Sequence, residues 1–188
     1  AVSNAVSGIE LIESELNLNE GDEIICPAHT YCASAYPFLK SGAKIIWSDI
    51  NPTTWISGPN EYLEKITNKT KAIVVVHLYG VASDAYKIYD ELREKGIRII
   101  EDCAQSIGSN YNGIPVGRYS DFSIFSFQSH KNISTLGEGG MLAVKDENSF
   151  NRMIKQRHNG HTSYSIFLDQ YWKPAMSDVQ KCYSSSYP

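Results

Sequence analysis

Ala72-Ile73-Val74-Val75-Val76 is an unbroken apolar run that ends at His77. A strand with one wet face alternates apolar and polar residues. A continuous Val/Ile run reads instead as a strand buried on both faces, the signature of a mostly parallel sheet covered by helices. Downstream, the spacing predicts a helix over Asp84 to Lys95, stopped at Gly96, and then the strand Ile97-Arg98-Ile99-Ile100, which ends at Glu101-Asp102. Strand, helix and strand joined by short turns make a crossover unit.

The same pattern extends both ways. Ile9, Ile12 and Leu16 recur at helical spacing and predict a helix from about Ser7 to Leu16, with Asn4 and Ser7 as capping residues. A short strand, Glu23 to Pro27, follows. Then come a helix over Tyr31 to Lys40 stopped at Gly42, a strand over Ala43 to Trp47, and a helix from Pro59 to Ile66. After a Gly-rich loop from Gly108 to Gly117, strands are expected at Phe122 to Phe127 and Met141 to Val144, then a helix from Glu147 to His158. The class is α/β, a three-layer sandwich around a mostly parallel central sheet, with one domain over residues 1–160 and an extension of unassigned character over 161–188. Ala1-Val2-Ser3 reads as the last piece of a buried strand, and the tail from Cys182 has no periodicity, so both ends are expected to be cut.

Composition narrows the partners. The 188 residues are 42% hydrophobic and 20% charged, with a net charge of -4 and no basic block, which gives no electrostatic reason to expect nucleic acid or a membrane surface. No apolar run approaches the roughly 18 residues of a membrane span. Cys26, Cys32, Cys103 and Cys182 form no C-x-x-C pair and read as reduced thiols, in keeping with a cytoplasmic protein.

One lysine stands out. Lys131 lies in Phe125-Ser126-Phe127-Gln128-Ser129-His130-Lys131, followed by Gly137-Glu138-Gly139-Gly140. Alone it reads as a solvated surface lysine. Asp102 at a strand's carboxyl end changes that reading, because ligands of open α/β sheets bind there. An amine for a Schiff base, a carboxylate to keep a pyridine nitrogen protonated and a phosphate cradle are the needs of pyridoxal 5′-phosphate (PLP). The first helix start offers the cradle through the amides of Asn4, Ala5 and Val6, with Ser126 as a second phosphate ligand. Tyr31 could lie flat on the ring, and Gln105 could donate to a ring oxygen. His77 and Tyr79 either line this site or simply pack.

Other chemistries find less support. His29, His77, His130, His158 and His161 show no H-E-x-x-H or Cys/His spacing, so no metal site is expected. Gly108, Gly113 and Gly117 do not form G-x-G-x-x-G after a strand.

Taken together, four segments resemble the DegT/DnrJ/StrS family of sugar aminotransferases, within the fold type I group of PLP enzymes. They are G-D-E-I-I-C-P-A-H-T-Y from Gly21, V-V-H-L-Y-G from Val75, E-D-C-A-Q-S-I-G from Glu101 and S-F-Q-S-H-K-N-I-S-T-L-G-E-G-G from Ser126. The resemblance implies the large domain of that fold, without the family's N-terminal segment and small C-terminal domain. It implies that Lys131 forms the internal aldimine, Asp102 pairs with the pyridine nitrogen, Gln105 contacts the cofactor, Tyr31 stacks on it and Ser126 binds phosphate. Ala5-Val6 stands where the family has Gly-Thr or Ala-Thr, so backbone amides alone are expected there. The resemblance further implies a homodimer that moves an amino group from L-glutamate or L-glutamine to a keto sugar, with a nucleotide-linked one expected. A keto-inositol aminotransferase and a non-catalytic cofactor-binding fragment are the alternatives.

Overall fold

The computed structural model describes residues 1–157. Ala1–Lys145 form one compact unit and a second begins at Asp146, so the extension expected over 161–188 lies outside the described residues. In chain order the first unit holds α1 (Ala5–Leu16), β1 (Glu23–Pro27), β2 (Lys44–Ser48), α2 (Pro59–Leu63), β3 (Thr70–Val76), α3 (Tyr89–Glu94), β4 (Arg98–Asp102), β5 (Asn110–Tyr111), β6 (Ile114–Pro115), β7 (Phe122–Ser126) and β8 (Gly140–Val144). The second unit contributes α4 (Glu147–Arg157), whose first turn is capped by the Asp146 carboxylate on the Ser149 amide.

Six strands make one sheet in the order β2-β1-β3-β4-β7-β8. All neighbours run parallel except β8, which is antiparallel to β7. Helices cover both faces. On one, Ile25, Ile73, Val75 and Ile99 pack against Tyr62 of α2 and Tyr89 and Leu92 of α3. On the other, α1 comes so close that a Cβ on Gly8 would lie 2.7 Å from Ile124 Cδ1. Burial from both sides is why β3 is apolar without alternation.

Several helices differ from the sequence expectation. Tyr31 to Lys40 forms two 3₁₀ turns, Cys32–Ser34 and Tyr36–Ser41, because Pro37 has no amide to give and its ring blocks a continuous α-helix. The first helix starts at Ala5 rather than Ser7, since Asn4 is the cap that accepts the Ser7 amide at 2.9 Å. The helix from Pro59 ends at Leu63, and Asp84–Ile88 is a 3₁₀ turn ahead of α3. Inside the Gly108 to Gly117 loop, β5 and β6 form a small antiparallel ribbon. Its turn is Asn112-Gly113, with φ of 49° and 82°, the positive pair that a tight hairpin requires.

Among the described residues no helix is long and apolar enough to cross a membrane. Cys26, Cys32 and Cys103 are free thiols, and Cys182 lies outside the described residues.

The face that carries α2 and α3 also buries a charge. Glu101 is fully buried and accepts from His77 Nε2 at 3.1 Å, Tyr86 Oη at 2.9 Å, Tyr89 Oη at 3.1 Å and the Gly117 amide. Burial alone would push its carboxyl up, but donation by His77, Gly117 and Tyr86 outweighs that and holds it below its ordinary 4.5. A carboxyl lowered by folding contributes stability above its unfolded value and loses it as pH falls through the folded one. Glu101→Gln should therefore cost about 2 kcal/mol at neutral pH. In urea unfolding across a pH series, the gap to wild type should narrow once pH drops below 4.5. A gap that stays constant into acid would contradict this assignment.

Candidate functional site

Alternation along β4 sends Glu101 to one face and Asp102 to the other. Asp102 pairs in register with Ile124, the residue beneath Gly8 of α1, so its carboxylate faces the α1 side. There, at the carboxyl ends of β3, β4 and β7, lies a cleft of about 460 Å³. That volume falls within the range of small-molecule sites. Its lining includes Ala5, Val6, Tyr31, Asp102, Gln105, Ser126 and Lys131, so the residues expected to hold the cofactor reach one cavity; His77 lines it too, whereas Tyr79 does not.

The Asp102 carboxylate forms part of the floor and is only 8% exposed. Its Oδ2 accepts from Ser34 Oγ at 2.7 Å, and its Oδ1 accepts from the Ala104 amide at 3.0 Å. Ser34 Oγ is in turn 2.8 Å from Thr30 Oγ1. Each carboxylate oxygen keeps a further lone pair, so the group is oriented without being saturated.

Gln105 is held by its oxygen. Oε1 accepts the Tyr79 amide at 2.9 Å, and because a backbone amide can only donate, this fixes which end of the side chain is oxygen. The NH₂ group is left to donate elsewhere. Tyr31 lines the cleft yet is 70% exposed, so its ring is not consumed by core packing. Lys131 sits in a tight turn, its amide bonded to Gln128 O at 2.9 Å. Among the described residues its ammonium makes no ion pair or side-chain hydrogen bond. Ser126, two residues beyond Ile124, faces the same side as Asp102.

At the first turn of α1 the Ser7 amide is taken by Asn4, which leaves the amides of Ala5 and Val6 without an intrahelical acceptor. Both residues line the cleft, and free amides at a helix start are donors of the kind that favour an anion. Their position depends on Gly140. Val2 and Gly140 exchange backbone hydrogen bonds at 3.0 and 3.1 Å, which ties β8 to the entry of α1. A Cβ at Gly140 would sit 2.8 Å from both Ala5 N and Asn4 C.

Sequence reasoning missed Ser34 and Thr30. Ser34 lies 68 positions from Asp102, and its residue type carries no signal of the contact. It also left His77 undecided. His77, Glu101 and Cys103 could offer ligand atoms within 4.8 Å of one another. Burial and the neighbouring Glu101 push the Cys103 thiol up, so it keeps its proton, and Glu101 already accepts a full set of donors. The cluster is built as a hydrogen-bond network.

The sequence profile of the DegT/DnrJ/EryC1/StrS aminotransferase family matches residues 1–177. Over 171 residues the chain is 39% identical to a GDP-perosamine synthase of Escherichia coli O157:H7, covering 91% of this chain and 46% of that protein. The chain thus spans under half of that relative's length. Among solved structures it is similar to an aminotransferase from Psychrobacter cryohalolentis, with a TM-score of 0.83 and 31% identity over 93% of this chain and 44% of that one. It is also similar to NtdA from Bacillus subtilis, solved with bound cofactor PMP, with a TM-score of 0.77 and 34% identity over 85% of this chain and 36% of that one.

Because no rotamer can move a backbone atom out of the way, Gly140→Ala is expected to displace the start of α1. The cost should be about 1 to 3 kcal/mol in urea unfolding, and phosphate-dependent cofactor binding should weaken. Unchanged stability would contradict the close approach.

Proposed function

We propose, from a chain that belongs to the DegT/DnrJ/EryC1/StrS aminotransferase family, that it forms the cofactor-holding part of a PLP-dependent sugar aminotransferase. The observation that carries this reading is the single cleft into which an amine, an oriented carboxylate, an amide donor, an exposed aromatic and a helix start all converge. The donor set fits the cofactor's groups one by one. Ala5 and Val6 amides with Ser126 Oγ would hold the phosphate, the Asp102 carboxylate would face the ring nitrogen, and the Gln105 NH₂ would donate to the ring oxygen. Tyr31 would cover one face of the ring.

When bound, PLP supplies an aldehyde that condenses with amines and a protonated ring that draws electrons from the substrate carbon. The rest is the work of this chain's residues. Asp102, oriented by Ser34 and Ala104, would keep the proton on the ring nitrogen. Lys131 Nζ would hold the cofactor and, once the donor's amino group has taken its place and left Nζ a free amine, would accept the proton from the donor's α-carbon as a general base. The donor is L-glutamate or L-glutamine and the acceptor a keto sugar, nucleotide-linked as in the GDP-perosamine relative. A second copy of the chain is proposed to complete the site, in keeping with the exposed rings of Tyr31 and Tyr79.

Addition of L-glutamate to the PLP-loaded protein should bleach its visible absorbance as the amino group is transferred, and a nucleotide-linked keto sugar should restore it. Restoration by keto-inositols alone would redirect the substrate reading, and no response to any amino donor would sink the enzyme reading. Asp102→Asn should slow the glutamate half-reaction at least about 100-fold, the scale of a lost positioned electrostatic group. An unchanged rate would remove Asp102 from its role.

A further inference from the structure

We infer that His77 is a positioning residue for this cleft, and that the turn it opens, His77-Leu78-Tyr79-Gly80, splints the two side chains read as addressing the pyridine ring. The inference rests on the cofactor reading above.

His77 is fully buried at the end of β3 and grips the end of β4 twice. Its backbone amide donates to Asp102 O at 3.1 Å, and its ring stands 3.1 Å from Glu101 Oε2. The ring's proton can be placed. Nδ1 lies 3.0 Å from the Ser83 amide, which can only donate, so Nδ1 is an acceptor and Nε2 carries the hydrogen given to Glu101. Consecutive residues of β4 are thus clamped by one side chain and its own main chain. Since Asp102 follows Glu101 directly, holding the Glu101 carboxylate fixes the backbone that aims the Asp102 carboxylate into the cleft.

The turn then reaches Gln105. Tyr79 has φ of 55° and Gly80 of 83°, a left-handed pair that turns the Tyr79 amide toward Gln105 Oε1 at 2.9 Å. Such a conformation is strained for a tyrosine and persists only where the surroundings impose it. Ser109 Oγ secures the far end by donating to Gly80 O at 2.7 Å. Tyr79 itself is 73% exposed, so core packing of its ring does not explain the strain. What the turn accomplishes is to orient the Gln105 amide with its NH₂ free for the cleft.

Two variants that each lose one polar contact separate positioning from mere structure. His77→Gln can still reach Glu101 but cannot accept from Ser83, whereas His77→Asn can accept from Ser83 but is too short for Glu101. Asn is expected to raise the PLP dissociation constant about ten-fold and to shift the visible absorbance of the loaded protein, while Gln stays within about three-fold of wild type. Equal effects of the two variants, or wild-type affinity and spectrum in both, would overturn the inference. The turn is tested without cofactor: Gln105→Leu should speed hydrogen exchange at the Tyr79 amide while Tm stays unchanged, and unaltered exchange would refute the splint. A wild-type protein that gains no visible absorbance with PLP would overturn the cofactor reading and, with it, His77's positioning role, even if the exchange result stood.

Discussion

Two adjacent carboxylates on one strand end organise this molecule. Pleating forces Glu101 and Asp102 to opposite faces of the sheet. One is fully buried beneath α3, and the other forms the floor of the cleft. A buried carboxylate survives only if its oxygens are satisfied, and Glu101 recruits His77, Tyr86, Tyr89 and the Gly117 amide to do so. That set of bonds makes the end of β4 rigid. Asp102, one residue on, gains a fixed position from bonds made on the far side of the sheet.

The opposite wall of the cleft depends on a different constraint, the absence of a side chain at Gly140. Only a bare backbone lets β8 bond Val2 while the first amides of α1 stand alongside. β4, β7 and α1 thus meet around one cavity, and Lys131 enters it from the turn that follows β7. The proposed chemistry would need an amine, a carboxylate and an anion cradle in fixed relation. The fold supplies that relation through strand register on one side and backbone contact on the other.

Much of this was legible in the sequence because it depends on local pattern. The apolar run Ala72 to Val76 betrays a strand covered on both faces, and Glu101-Asp102 at the next strand's end marks the ligand-binding edge of the sheet. Lys131, Asp102, Gln105, Ser126, Tyr31, Ala5 and Val6 all line the cleft they were expected to share. What remained hidden depends on long-range geometry. Ser34 orients Asp102 across 68 positions of chain, and a buried serine looks like any other in sequence. The 3₁₀ turns around Pro37 replaced an expected helix because one missing amide outweighs good helical spacing. The role of His77 rests on which nitrogen accepts the Ser83 amide, a fact available only once the two are side by side.

The most direct test is chemical capture. The protein is incubated with PLP, reduced with borohydride, digested and mapped by mass spectrometry. The expected result is a single pyridoxyl adduct on the peptide that carries Lys131, lost when that lysine is replaced by alanine. An adduct spread over surface lysines, or one confined to a lysine outside the cleft, would contradict the site described.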